Sequence, residues 1–558
     1  MKIKTISCLV LAGMLSLNSC VKGDIDELQN QINDLNEKVN DLESTQQEAL
    51  LAAIAKLEAD LAALNSELVG DLELLEQEIA NNANAVYYGN VITDEDYAAL
   101  TAQGATIITG RVVVGGDAHV SALSTIKLIG KSLEVNGGTT ITMDALQSIG
   151  ENLIIEGVEA DATVNFAVLA SIGGDFEVVE NAGLTSVVAD ELVLISGALA
   201  TEESEMLATL SLAKLDQVGE LSIDNYYADD PTYINIGALS NLDLSGTNVL
   251  GDAHLNYLGD VEVVSLGDIH GNFDFVQGNV VKLSISGETV DGNFTLSFNK
   301  RLKTVETPNL KSINGSLDIS GNSDWQLAGA SLEALPSFPA LEFIGGNVTI
   351  GSNSDLVSID AFNNVTQLTG DISLSESAKI ESVNIFNALV ETGANQWSNA
   401  NIYISFQTNW FNGFNELLEA GEVTITVKVP SADDGGIGIS STSSASALAD
   451  VAKMEGFAKL TESTNMQLYF SEVTEFNAFA SYTNFKRTYG TGFKLQMPAE
   501  GIGMCAMEPF LTKVKNGDFG TKPMVFEEMA ENEWGWMVPT EVDKDTAVDR
   551  LLAPCTTP

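Results

Sequence analysis

Basic residues, histidine, proline and cysteine are all scarce in this chain, and each scarcity removes a class of function. Of 558 residues, 26 are Lys or Arg against 78 Asp or Glu, a net charge of −52. A field of that sign repels phosphate backbones and argues against a nucleic-acid partner. Only His119, His254 and His270 supply imidazole, and no His-Glu-x-x-His, nucleophile-elbow, Walker or calcium-loop spacing occurs. An acidic surface could collect divalent cations, but no motif supports a metal site, and no cofactor is expected. Proline, at 11, is rare while glycine reaches 48, which excludes a proline-rich or disordered linker protein. Beyond the first twenty residues no apolar run approaches the ~18 residues of a membrane helix.

The four cysteines fall at the two ends. Lys2 and Lys4 precede an apolar run, Ile6 to Leu17, that contains Cys8 and closes as Leu17-Asn18-Ser19-Cys20. That order resembles the lipobox of bacterial lipoproteins. The resemblance implies a signal peptide over 1–19, a covalent lipid on Cys20 and outer-membrane lipid as the first partner. The acidic stretch behind it, Asp24-Ile25-Asp26-Glu27, resembles the surface-export signals of some Gram-negative lipoproteins and implies a surface-exposed tip. Cys505 and Cys555 remain, and an even pair in an oxidising compartment is expected as one disulfide, with two buried thiols as the alternative.

Residues 20–80 are expected to form a coiled-coil stalk. Ile25, Leu28, Ile32, Leu35, Val39 and Leu42 fall at alternating spacings of 3 and 4, flanked by polar residues. A second run follows from Ile54 to Ile79, joined through four-residue steps that locally unwind the supercoil. As a helix, residues 24–80 would span ~85 Å. So narrow an apolar stripe implies a homo-oligomer through 25–79, dimeric or trimeric.

Residues 81–103 read as a connector with one short helix, and from 104 to 398 a repeat governs the chain. Its unit is an apolar residue, a glycine-containing corner, then an alternating strand, as in Ile129-Gly130-Lys131-Ser132-Leu133-Glu134-Val135 and Ile172-Gly173-Gly174-Asp175-Phe176-Glu177-Val178. The first strand residue recurs at Val112, Leu133, Leu153 and Phe176, then at Phe273, Phe294, Leu317, Val348 and Ile372. A period of ~22 indicates a solenoid. The turn between Leu317 and Val348 is longer, consistent with an insertion over Trp325 to Pro339, and the register between Phe176 and Phe273 is blurred. Asn181, Asn299, Asn322 and Asn353 each follow their marker by five residues, where an inward amide can satisfy buried turn groups. The pattern resembles the receptor L-domain, a leucine-rich-repeat-like β-solenoid. That resemblance implies protein or glycan recognition by an extended sheet face.

Gly267-Asp268-Ile269-His270-Gly271-Asn272 is similar to the first metal-binding motif of calcineurin-like metallophosphatases. That chemistry needs later histidine ligands, and none follows His270. The string also fits the repeat, so it is read as a corner. His119 and His254 stand about six turns apart and cannot meet in a linear solenoid.

From 399 to 558 a small α+β or β-rich domain is expected, with strands at Asn401–Gln407 and Glu422–Val429 and helices at Trp410–Ala420 and Ala447–Leu460. Trp534 and Trp536 alternate onto one face and are the candidate binding platform. The whole is therefore expected to be mainly β: a right-handed β-solenoid of ~22-residue repeats, preceded by a coiled coil and followed by that domain. The expected function is a non-catalytic, lipid-anchored envelope protein that presents its solenoid and tip for glycan or protein binding or adhesion. The alternatives are an oligomeric structural spacer or envelope-assembly subunit and, behind it, a β-helical polysaccharide-active enzyme.

Overall fold

The computed structural model describes residues 84–158, 161–224, 239–244, 246–323, 331–392, 401–420, 422–428, 452–463, 465–470, 473–485, 492–497, 503–520, 523–531 and 537–556. The chain divides into two units, Met1–Val86 and Tyr87–Pro558. The signal peptide, Cys20 and the coiled-coil stalk lie outside the described residues, as do Trp534 and Trp536.

The second unit is mainly β and is a β-solenoid. A regular turn carries three strand positions, shown by Ser148–Ile149 (short), Leu153–Glu156 (long) and Ala162–Asn165 (third). Alternation fixes which side chains enter the core. Leu153 and Ile155 are fully buried while Glu156 is exposed, because successive side chains on a strand point to opposite faces. Each long strand pairs in parallel with the long strand of the next turn. One column of register partners runs Val112, Leu133, Leu153, Phe176, Leu199, Leu221, Ala253, Phe273 and Phe294. It continues through Leu317, Val348, Ile372, Ile402, Val423, Met466, Phe493 and Met524.

Every marker expected from the repeat stands in this column, and Leu199, Leu221 and Ala253 fill the blurred interval. Sixteen register steps separate Val112 from Met524, so at ~4.8 Å per strand the stack runs ~75 Å.

Three ladders hold the corners. Between short and long strands, the side chain preceding the long strand accepts the N–H of its counterpart one turn later: Asp175 N–H donates to Asn152 Oδ1 at 3.0 Å, and Asn293 N–H to Asn272 Oδ1 at 2.9 Å. Glycine opens this corner, since a Cβ on Gly150 would lie 2.3 Å from the Gly130 carbonyl oxygen. After the long strand the buried asparagines form a second ladder. Asn181, Asn299, Asn322 and Asn353 each donate Nδ2–H to a carbonyl of the preceding turn at 2.8–2.9 Å. After the third strand stands a third ladder: Phe338, Phe362, Phe386, Phe414, Phe457 and Phe479, all buried and all left-handed in φ. Their rings stack at centroid distances of 4.9–5.4 Å.

The ends differ from expectation. Among the described residues the first rung is Val91, bridged in parallel to Val112 and ahead of the expected start at 104. Helix α1 (Asp94–Gln103), in the connector, begins with a Thr93–Asp96 capping box; α2 (Asp117–Ala122) follows. At the other end, parallel pairing does not stop at 398 but continues to Glu527. The segment expected as a helix at Trp410–Ala420 begins as strand, within Ile402–Gly413, and then turns at Phe414. Within the expected helix at Ala447–Leu460, the described residues include the strand Ala452–Met454. Phe411, Phe414 and Leu417 recur every three residues and imitate helical spacing, but Phe411 lies within a strand and the other two form a corner. The stack ends where Met524–Glu531 pairs antiparallel with Met537–Val542, beside α3 (Glu508–Asn516) and α4 (Lys544–Leu552). Cys505 and Cys555 are joined in a disulfide there.

Candidate functional site

The side chains that could meet a partner come from the outward positions of the long strands and from the corner that follows. One place after each marker the register aligns Glu134, Ile154, Glu177, Ala200 and Ser222. The column then passes through His254, Asp274, Thr295, Asp318, Thr349, Ser373 and Tyr403. Hydroxyls and carboxylates dominate it. Burial, with Asp175 and Glu156 nearby, pushes the Glu177 carboxyl above its ordinary value.

The three histidines are all held by carboxylates, in separate places. His254 Nδ1 lies 3.0 Å from Asp274 Oδ2 across one register step, and its Nε2 lies 3.7 Å from Asp252 Oδ2. His270 Nδ1 lies 2.9 Å from Asp291 Oδ2. His119 Nδ1 accepts the Gly115 N–H at 3.1 Å, so its Nε2–H faces Asp94 Oδ1 at 2.9 Å, and its ring stacks on Tyr97 at 4.0 Å. Among the described residues no group of three or more His, Cys, Asp or Glu is arranged to hold a metal.

The metallophosphatase-like string is consumed by corner bonding. Asp268 Oδ1 accepts the N–H groups of Glu288 and Thr289, and Asn272 Oδ1 accepts that of Asn293. Two of its three polar side chains are thus turn fasteners.

A surface feature that the sequence reading missed follows the long strands. Tyr257, Gln277 and Phe298 occupy one corner position in three successive turns, each in the left-handed region with φ of 51°, 56° and 57°. Each donates its N–H to the next turn: Tyr257 to Val276 O, Gln277 to Ser297 O and Phe298 to Ser320 O. Non-glycine residues seldom adopt this conformation, and the corner ladder enforces it here. Phe298 is 57% exposed, unlike the buried phenylalanines of the stacked ladder. Its ring covers Gly321, where a Cβ would lie 2.8 Å from ring Cδ1. The signal available in the sequence was the aromatic directly before Asn299.

Compared with protein-family models, with curated proteins and with solved structures, the chain matches none. No helix among the described residues is long and apolar enough to cross a membrane.

Proposed function

We propose that this chain is a lipid-anchored protein of the bacterial outer membrane, exposed at the surface, that presents its solenoid to a glycan or protein partner without catalysis. The observation that carries the reading is the unbroken parallel column from Val112 to Met524, which sets one outward side chain every ~4.8 Å on a rigid face. Extended solenoid faces of this kind suit recognition of long partners. The lipobox-like Leu17–Cys20 supplies the anchor, and the heptads of 25–79 supply an oligomeric stalk. The solenoid winds right-handed in this reading, the hand that right-twisted strands impose on parallel crossovers. Absorption of Asp268 and Asn272 into corners supports a non-catalytic role.

A second reading, an oligomeric spacer, is favoured by the ion pairs that join neighbouring turns. Arg111–Glu134, Lys282–Glu306 and Lys311–Glu288 spend charge on stacking rather than on a ligand.

Protease added to intact cells separates surface presentation from an inward-facing arrangement. Cleavage of the region beyond residue 399, with a periplasmic control protein uncut, supports surface presentation. Complete protection overturns it.

A further inference from the structure

We infer that the ridge Tyr257–Gln277–Phe298 is a binding site for an uncharged glycan chain. The inference rests on the presentation reading above and names both the place and the ligand chemistry.

Fixation comes first. The peptide groups on both sides of Phe298 are bonded, its own N–H to Ser320 O and the Asn299 N–H to Asn322 Oδ1 at 3.0 Å. Asn299 also accepts the Gly278 N–H at 2.9 Å and donates to Phe275 O at 2.8 Å. The exposed ring therefore stands on a backbone that cannot relax, and little ordering entropy remains to be lost on binding. Gly321 gives the ring room to lie against the next turn.

The pattern of groups then selects the ligand. Two aromatic residues, the exposed Phe298 and the half-buried Tyr257, hold corner positions two rungs apart, ~10 Å, with Gln277 at the corner between them. Protein interfaces need a contiguous apolar centre, which an amide between two rings interrupts. A sugar chain alternates in the same way: the C–H face of a pyranose packs on an aromatic ring while its hydroxyls bond amides and carboxylates. Thr295 and Asp274, on the adjoining strand face, offer further hydrogen-bonding groups.

Charge narrows the class. Asp252, Asp260 and Asp274 lie within the turns that carry the ridge; Arg301 is paired with Asp260, and Lys300 stands beside it. With a net charge of −52 the chain repels uronate and sulfate polymers.

The test is affinity electrophoresis and calorimetry of the full-length chain in detergent. The probes are laminarin, mannan, dextran and xyloglucan, with heparan sulfate and polygalacturonate as anionic comparators. The expected result is binding to at least one neutral polymer, weakened tenfold or more by Phe298→Ala and by Tyr257→Ala, and kept by Phe298→Trp. Hydrogen exchange at the Asn299 amide verifies that each variant retains its corner; if Phe298→Ala disturbs it, Gln277→Ala serves as the second variant. Neutral-glycan binding unaffected by variants with intact corners overturns this site and leaves surface presentation standing. Preference for the anionic polymers overturns the uncharged class. No binding to any polymer overturns the glycan inference, while the protease experiment on cells still decides presentation independently.

Discussion

Asn299 and Asn322 stand one turn apart and are joined twice: the Asn299 N–H and its Nδ2–H both donate to Asn322 Oδ1 at 3.0 Å. Asn322 in turn donates to Leu296 O at 2.8 Å, and its own N–H donates to Asn353 Oδ1 at 3.0 Å. One fully buried side chain therefore satisfies two main-chain groups of the preceding turn, the Asn299 N–H and the Leu296 carbonyl.

Replacing Asn322 by Leu leaves the Asn299 N–H buried without a partner and strips the Leu296 carbonyl of its side-chain donor. At ~1–3 kcal/mol for the orphaned N–H and about 1 kcal/mol for the lost carbonyl bond, the turn loses about 2–4 kcal/mol. A long repeat array need not unfold as one unit, so the loss is best read as hydrogen exchange at the Asn299 amide. Unchanged protection there would show that the ladder does not hold the corner.

Gly150→Ala and Gly116→Ala form a matched pair. The first places a Cβ 2.3 Å from a main-chain oxygen of the turn below, whereas the second meets nothing within 4 Å and has an extended φ of 168°. The expectation is a clear drop in melting temperature for Gly150→Ala and a change within ~0.5 kcal/mol for Gly116→Ala.

Acid should loosen the capped helices at the two ends before the turns around Glu177. Asp117, bonded by the Thr139 and Thr140 amides, has its carboxyl held below the ordinary 3.8; so do Asp96, through Thr93 and Ile92, and Asp543, through Thr546. A depressed folded-state value gives stabilisation that is complete above the unfolded pKa and disappears as pH falls through the folded one. Glu177, in the interior, is shifted upward, so its protonation on acidification relieves a cost instead. Protection against hydrogen exchange, with the intrinsic pH dependence removed, should fall first in α1, α2 and α4 as the pH drops below ~5. Earlier loss around Glu177 would contradict this ordering.

Reducing the Cys505–Cys555 disulfide opens a loop of 50 residues, worth about 4 kcal/mol in the chain-entropy model. The expected outcome is early proteolysis in α3 and α4 while the turns from Val112 to Ile372 stay resistant. Uniform sensitivity along the chain would mean that this clamp is not local.

Legibility in the sequence followed the regularity of the corners. Leu133, Leu153 and Phe176 could be placed because a glycine and an Asp, Asn or Ser mark the approach to each strand. Ala253 could not, because a small residue marks its strand and 32 residues separate it from Leu221. Beyond residue 399 the turns lengthen, with 43 residues from Val423 to Met466, and no fixed period survives. The aromatic corner was nonetheless visible as Phe-x-x-Leu at Phe338, Phe386, Phe414 and Phe457, a period masked by turns of unequal length. The ridge at Phe298 was hidden for another reason: whether an aromatic faces in or out at a left-handed corner depends on the neighbouring turn, here on Gly321.

Because every rung meets only the rung before and the rung after, the protein's reach is quantised. Excising residues 273–293 would join Asn272 to Phe294 and seat Phe294 beside Ala253, one strand spacing shorter and in the same phase. Duplicating that interval would add the same increment. Reach can therefore change in steps of ~4.8 Å through whole-unit gain or loss, while the two terminal closures stay as they are.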